Sequence, residues 1–188
     1  MDLRHIKPIH IWVLLILISL MACTETSANF GKYYRGKTLD VNIVKLERLP
    51  ELLYSTIDSD QVPHYFRIVP SEDQLELVIL RVKVENHTAT SAIVNIDSQA
   101  AELRDFFQGK YFPMNVNERV EEIDPPDRRI ADRSVVFLWN KTYQDGTSEA
   151  FTLPRDFGID GILVFEAPED TKFRELRWRA GDTLSIRF

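Results

Sequence analysis

Cysteine is almost absent from this chain of 188 residues, and histidine is scarce: there is one cysteine, Cys23, and there are four histidines. A single cysteine cannot close an intramolecular disulfide, so the fold must be stabilised by burial of the apolar residues, which make up 44% of the chain. Metal sites need clustered ligands: zinc takes three or four N/S ligands, and sandwich-type copper takes two histidines, a cysteine and a methionine. Beyond residue 22 and apart from Cys23, the chain offers only His64, His87 and Met114. We therefore predict no metal and no cofactor.

Positive charge is also in deficit, with 23 basic against 29 acidic residues and a net charge of −6. This balance argues against a nucleic-acid partner, which selects basic surfaces. The sequence lacks the Gly-x-Ser-x-Gly nucleophile elbow, and a Ser-His-Asp triad would have to use one of two histidines at predicted turns. We predict that the protein is not an enzyme. A carboxylate-based hydrolase stays open as an alternative, because a glycosidase needs only two acidic side chains.

No long hydrophobic run occurs either. The longest, Ile11–Leu20, is interrupted only by Ser19 and has half of the about 20 apolar residues that a membrane-spanning helix needs. Arg4 and Lys7 precede this run. A charged start followed by a short apolar segment is typical of a secretory signal peptide, which we assign to residues 1–22.

The residues that close the apolar run are Leu20, Met21, Ala22 and Cys23. They resemble the lipobox of bacterial lipoproteins, in which a leucine at −3 and a small residue at −1 precede the cysteine. The resemblance implies cleavage after Ala22 and acylation of Cys23, with palmitate among the acyl groups. Two or three acyl chains hold a protein stably on a membrane, whereas one holds it only marginally. The alternative is an ordinary signal peptide that leaves a free cysteine at the mature start.

The lipobox resemblance also predicts an extracytoplasmic location. Thr24 follows the cysteine where an aspartate would retain the protein in the inner membrane. In a bacterium with two membranes, the resemblance therefore implies the outer membrane. Residues 23–37 are mostly polar and small, which predicts a flexible tether, although Tyr33 and Tyr34 could instead lie at the lipid headgroups.

Sustained helical periodicity is missing after residue 22, and alternating strand patterns take its place. Residues 38–49 alternate until the phase slips at Val44, which predicts a strand with a bulge. Residues 75–85 form the strongest strand pattern, and 173–179 with 183–188 form a final hairpin. Residues 50–71, with three prolines, predict an irregular connection with a helical turn at 51–55 and a short edge strand at 64–69.

Eight or nine such strands predict an all-β domain over residues 38–188, an antiparallel immunoglobulin-like β-sandwich preceded by the signal-peptide helix and the tether. Asp145-Gly146 is the tightest hairpin signal in this domain.

Three segments resemble a family of bacterial extracytoplasmic immunoglobulin-like domains, common in lipoproteins and of unknown function. They are an apolar strand ending in asparagine at 82–86, the strand, turn and Gly-Lys-aromatic at 103–111, and a closing strand and turn at 161–170. The sequence departs from this family over residues 115–148. The resemblance implies the same sandwich fold and supplies no catalytic residues.

The charged connection between residues 115 and 133 is the predicted contact surface, because connections of this length are usually functional or disordered. A wet, charge-mixed loop is the alternative interpretation. Its candidate residues are Glu118, Glu121, Glu122, Asp124, Asp127, Arg128 and Arg129.

Two further sets of side chains are candidates. Trp139 and Tyr143 could stack on a sugar, although packing of Trp139 in the core is the alternative. The arginines of the last hairpin could form a basic outward face, or could pair with neighbouring acids. These arginines are Arg174, Arg177, Arg179 and Arg187.

From these features we predict a lipid-anchored cell-envelope protein with a non-catalytic immunoglobulin-like domain that binds an envelope protein. A carbohydrate- or peptidoglycan-binding module that uses loop aromatics is the second hypothesis, because recognition sites lie on the loops of rigid sandwiches. An enzyme with a carboxylate site is the third.

Overall fold

The computed structural model of the chain describes residues 24–25, 27–57, 59–126, 136–139 and 150–188. Within these ranges there are fourteen β-strands and one 3-10 helix, Val116–Glu118, and no helix is long and apolar enough to cross a membrane. The strands are β1 Thr24–Glu25, β2 Tyr33–Arg35, β3 Leu39–Leu49, β4 Leu52–Ile57, β5 Pro63–Ile68, β6 Leu75–Asn86, β7 Ser91–Asn95, β8 Ala101–Asp105, β9 Lys110–Tyr111, β10 Glu121–Ile123, β11 Ala150–Pro154, β12 Gly158–Pro168, β13 Phe173–Trp178 and β14 Leu184–Arg187.

Two antiparallel sheets form the sandwich. The first has the order β3-β6-β12, with β1 and β2 both paired to the outer edge of β3, and the second has the order β14-β13-β8-β9. Strands β7 and β11 pair separately. These orders match the A-B-E and G-F-C arrangement of an immunoglobulin-type sandwich. The predicted all-β class is confirmed, with more strands than the eight or nine expected because several short strands extend the sandwich.

The main core lies between the two sheets, and its burial of one strand face explains the sequence pattern of the longest strands. Val78, Leu80, Val82 and Val84 of β6 are buried on one face, as their alternation predicts. The predicted bulge in β3 is confirmed, because its register against β6 shifts between Ile43 and Lys45. This shift lets β3 keep apolar residues on the core side both before and after it. The β3 residues in the main core are Leu39, Val41, Ile43 and Leu46.

The last hairpin closes this core from the second sheet. Leu176 and Trp178 of β13 are fully buried, and Leu184 and Ile186 of β14 lie inside with them, as predicted. A bulge after Phe173 shifts the register of β13 against β8. The shift brings both Phe173 and Leu176 into the core although three positions separate them.

A second, smaller core lies on the opposite face of the first sheet. Leu77 and Ile79 point away from the main core and pack against the three-stranded sheet β10-β5-β4. The predicted edge strand at 64–69 is confirmed as β5, but the helical turn predicted at 51–55 is wrong, because β4 occupies it. The connection at 115–133 also differs from the predicted loop, since residues 116–118 form a 3-10 helix and β10 pairs with β5.

Two parts of the segment predicted as a flexible tether, β1 and β2, are instead paired with β3. Thr24 lies opposite Glu47 in β3, and Tyr33–Arg35 lies opposite residues 40–42. Phe30 packs edge-on against Phe188, with ring centroids 5.4 Å apart. The aromatic residues of this segment cover the edge of the sandwich, which explains why the segment orders. Cys23, the lipobox and the Asp145-Gly146 hairpin lie outside the described residues.

Candidate functional site

Two acids of the predicted contact loop, Glu121 and Glu122, contact side chains of β5. Glu121 accepts a hydrogen bond from Nη2 of Arg67 at 2.8 Å, and Glu122 lies 2.8 Å from Nδ1 of His64. Both pairs join β10 to β5 across a solvent-exposed surface, where such pairs stabilise little. Glu121 and Glu122 are therefore already paired within the three-stranded sheet β10-β5-β4. Glu118 and Asp124 are exposed, whereas Asp127, Arg128 and Arg129 lie outside the described residues.

Trp139 is half-buried and packs against the main core. Its neighbour Phe137 belongs to the second core and packs edge-on against Tyr54, with centroids 4.8 Å apart. The indole of Trp139 is therefore largely used in packing, as in the core alternative of the sequence analysis. Tyr143 lies outside the described residues, so the proposed pair of sugar-stacking rings stays a prediction.

The outer face of the second sheet brings together the most concentrated set of charged side chains. Strand pairing places Arg177 opposite Glu102 and Glu175 opposite Arg104. Opposite charges on facing positions of antiparallel strands stabilise the pairing. The result is an alternating pattern of arginine and glutamate across β8 and β13. We call this surface the arginine face, defined by Arg104, Arg174, Arg177, Arg179 and Arg187.

Glu102 is only 2% exposed, although it lies on the outward side of its strand. It accepts hydrogen bonds from Arg104 and from Nη2 of Arg179, the latter at 2.8 Å. Desolvation acts to raise the pKa of Glu102, but the hydrogen bonds and charges of the two arginines outweigh it, and the net effect lowers the pKa. Glu102 is therefore ionised at neutral pH and fixes both guanidinium groups.

On β13, Glu175 is likewise a buried, ionised acid that is held by hydrogen bonds. The Ser185 hydroxyl donates a hydrogen bond to it, and Nε of Arg177 lies 3.3 Å from its Oε1. The hydrogen bond from Ser185 is the main influence that lowers the pKa of Glu175, and the two nearby arginines add to it against the desolvation. The five arginines of the face thus surround two ionised glutamates, which leaves an excess of positive charge.

A surface pocket of about 410 Å³ opens along one side of this face. Guanidinium groups present a planar fork of donors that matches carboxylate and phosphate oxygens. The pocket can therefore take an anionic group against an aromatic wall. Its lining residues are Phe106, Arg174, Glu175, Arg177, Arg187 and Phe188.

Sequence reasoning found the four arginines of the last hairpin and missed Arg104 and Glu102. These two residues lie on β8, about seventy positions away, and only the strand register brings them under the hairpin. The alternation of Glu102 and Arg104 with buried neighbours was the available signal. Among the described residues, no group of three or more His, Cys, Asp or Glu side chains is placed to hold a metal ion.

No protein-family model matches the chain, and no curated protein is significantly similar to it. The solved structures that are similar to this chain include the following three. The putative lipoprotein YcdA of Bacillus subtilis strain 168 is 14% identical, with a TM-score of 0.44, over 87% of this chain and 39% of that one. The YjhA protein of Bacillus subtilis is 16% identical, with a TM-score of 0.48, over 84% and 87%. A functionally unknown protein of Listeria monocytogenes EGD-e is 8% identical, with a TM-score of 0.42, over 89% and 88%.

This chain thus spans about 39% of the length of the YcdA structure. These three structures are of bacterial proteins, and one of them is described as a putative lipoprotein. At these identities and TM-scores, the similarity carries no argument about activity.

Proposed function

We propose that this protein is a lipid-anchored, extracytoplasmic interaction domain of the bacterial cell envelope that binds an acidic segment of a partner protein and catalyses no reaction. The observation that carries the proposal is the arginine face on a protein whose net charge is −6. A confined positive surface on an acidic protein favours a negatively charged partner and suppresses other encounters. The partner contact is centred on Arg177 and Arg179.

The geometry of the face supports binding. Glu102 and Glu175 fix Arg177 and Arg179 from beneath, so less side-chain freedom is lost when a carboxylate binds. The guanidinium groups of these two arginines remain partly exposed above the glutamates. A partner carboxylate can therefore reach them without breaking the buried pairs.

The same geometry argues against glycoside hydrolysis at this surface. A glycosidase needs one protonated carboxylic acid with a raised pKa beside a second, ionised carboxylate. Both carboxyls have lowered pKa values: Arg104 and Arg179 outweigh the desolvation of Glu102, and the Ser185 hydrogen bond, followed by Arg177 and Arg104, does so for Glu175. Neither carboxyl can serve as the proton donor at neutral pH.

The membrane anchor is the second part of the proposal and rests on the lipobox at residues 20–23. A domain confined to a membrane meets membrane-bound partners at a raised effective concentration, so that a weak contact suffices. The sandwich suits this role, because a rigid scaffold holds contact residues in fixed positions.

A charge reversal on the arginine face tests the partner contact. A photo-crosslinking residue at Thr183, which is exposed beside β14, should capture an acidic envelope protein in intact cells. Arg177→Glu should reduce this crosslink about tenfold or more, because it replaces attraction by repulsion at the centre of the contact. Because Arg177 lies opposite Glu102, Arg177→Gln is made beside it: it removes the positive charge without placing like charges across the strands and should also weaken the crosslink.

Lys83→Glu is the matched control, since it makes the same change of charge on the first sheet. It should leave the crosslink unchanged. A crosslink that survives Arg177→Glu would place the partner elsewhere. Hydrolysis of a glycan by the purified protein, stopped by one carboxylate substitution, would overturn the non-catalytic assignment.

A further inference from the structure

The turn between β8 and β9 exposes two phenylalanines side by side. Phe106 is 62% exposed and Phe107 is 94% exposed. Leaving aromatic rings in water is unfavourable, and an exposed apolar feature at a loop tip usually marks a contact with a partner or a membrane. We therefore expect an apolar surface to cover this turn.

The side chain of Asp105 fixes the conformation of this turn. Asp105 accepts hydrogen bonds from the backbone N–H groups of Phe107 and Gly109, each at 2.7 Å, and from the hydroxyl of Tyr111 at 3.0 Å. At Gly109 a Cβ atom would lie 2.5 Å from the carboxylate oxygen of Asp105, so glycine is required for this close approach. The hydrogen bonds fix the turn in a conformation in which both rings face solvent.

This turn lies at the same end of the sandwich as the start of the described chain. Thr24 is paired with Glu47. The guanidinium carbon of the following residue, Arg48, lies 5.0 Å from the centre of the Phe173 ring. Phe173 in turn is paired with Asp105, the residue before the two phenylalanines.

Thr24 is bonded directly to Cys23, so little chain separates a lipid on Cys23 from the folded domain. One extended residue spans at most about 3.6 Å. A lipid anchor at Cys23 would therefore hold this end of the sandwich against the bilayer, with the Phe106-Phe107 turn beside it.

The chemistry next to the turn fits phosphate headgroups. Nη2 of Arg174 donates a hydrogen bond to Gln108 in the turn at 3.1 Å, and its buried Nε has no hydrogen-bond partner among the described residues. Arg187 lines the same pocket as Arg174 and Phe106. Guanidinium groups bind phosphate oxygens through paired hydrogen bonds, and phenylalanine is among the apolar residues that membrane-surface segments bury at the boundary of headgroups and acyl chains.

We propose that the Phe106-Phe107 turn inserts into the interface of the anchoring membrane while Arg174 and Arg187 bind the phosphates of anionic lipids. This inference rests on the lipid anchoring of the proposed function. Arg179, further along the arginine face, stays available to the protein partner, and Arg177 borders both contacts. Acids in two turns of the first sheet keep that corner away from anionic headgroups: Glu72, Asp73, Glu169 and Asp170.

The test uses the full-length, lipidated protein in vesicles. With Cys23 acylated, Phe107→Cys provides the single free thiol, which can carry an environment-sensitive fluorophore. In vesicles rich in phosphatidylglycerol, its emission should shift to the blue and be quenched by lipids that carry a quencher in the acyl chain. The matched control is Val62→Cys, also apolar and 49% exposed, at the tip of the β4–β5 hairpin. The label at Val62 should stay in water.

The outcomes separate the two proposals. If the protein floats with the vesicles but the label at residue 107 is as accessible to aqueous iodide as the label at 62, the anchor stands and the insertion is wrong. If the protein does not float, anchoring and insertion both fail. Arg174→Gln with Arg187→Gln should weaken the dependence of the shift on phosphatidylglycerol. An equal shift in phosphatidylcholine vesicles would remove the arginines from the contact.

Discussion

Trp178 shows how one side chain joins the two sheets of the sandwich. It is fully buried in the main core, and its indole Nε1 donates a hydrogen bond to the carbonyl of Ala180 at 2.8 Å. A buried indole needs such a partner because an unpaired N–H in the core is costly. The preceding residue of β13, Arg177, lies on the opposite face and belongs to the arginine face. A single strand thus supplies both the core and the proposed contact.

Trp178→Ala should lower the free energy of unfolding by about 3–5 kcal/mol, the range for deleting a large buried aromatic side chain. Arg177→Ala should lower it by no more than about 0.5 kcal/mol, because most surface substitutions have small effects. Urea denaturation of the two variants beside the wild type measures both values. Equal, small effects would contradict the strand phase described here.

Asp182 is a second residue whose contribution is testable, this time through pH. Its carboxylate accepts hydrogen bonds from the backbone N–H groups of Thr38 at 2.8 Å, Leu39 at 3.2 Å and Thr183 at 2.8 Å. Desolvation acts to raise the pKa of Asp182, but these hydrogen bonds outweigh it and lower the pKa below its usual value. The ionised form is therefore the one that the folded state favours.

A folded-state pKa below the unfolded one means that the stabilisation is present above about pH 4 and is lost as the pH falls through the folded-state pKa. Asp182→Asn should destabilise the protein by about 1–2 kcal/mol at pH 7, since hydrogen bonds to a charged group are the stronger ones. The difference from wild type should shrink at pH 3. Glu169→Gln, at an exposed turn, is the control and should change little at either pH. A difference independent of pH would contradict the role of the charge.

At the scale of the strand, sequence reasoning succeeds where one face is buried and the other is wet. The final hairpin alternates buried Leu176 and Trp178 with arginines, and period-two alternation is visible without any knowledge of partners. The bulge in β3 is visible for the same reason, because a bulge shifts the phase of an otherwise regular pattern at Val44. These elements carry their own structural signal.

Two of the short strands, β4 and β10, could not be predicted because each is ordered by contacts that its own sequence pattern does not show. β4 reads Leu-Leu-Tyr-Ser-Thr-Ile, with no alternation, and it becomes a strand by pairing with β5 over the second core. β10 contains two glutamates and resembles a loop, but Arg67 and His64 pair with them across the strands. The arginine face was predicted without its β8 residues, since Glu102 and Arg104 reach it only through the register of β8.

At the scale of the whole molecule, the distribution of charged residues says more about binding than the net charge does. The net charge of −6 predicts an acidic surface, yet one sheet carries an excess of arginine, while acids occupy turns of the other sheet at the same end. An anionic membrane or partner is attracted to the first region and repelled from the second. Beside an anionic membrane, this asymmetry should favour the orientation in which the four-stranded sheet lies nearer to the lipid than the first sheet does.

The orientation has consequences only if Cys23 holds the chain to a membrane, which is the last prediction. Mass spectrometry of the membrane-bound protein should show Cys23 as its first residue with added lipid mass, and Cys23→Ser should release or mislocalise the protein. Met21→Ala, at the tolerant position of the lipobox, is the control and should be processed normally. Because Thr24 is already paired with β3, the released variant should keep its fold and its urea midpoint while losing the membrane contact. An unmodified Cys23 thiol on a released wild-type protein would contradict the anchor and, with it, the membrane-facing role of Phe107.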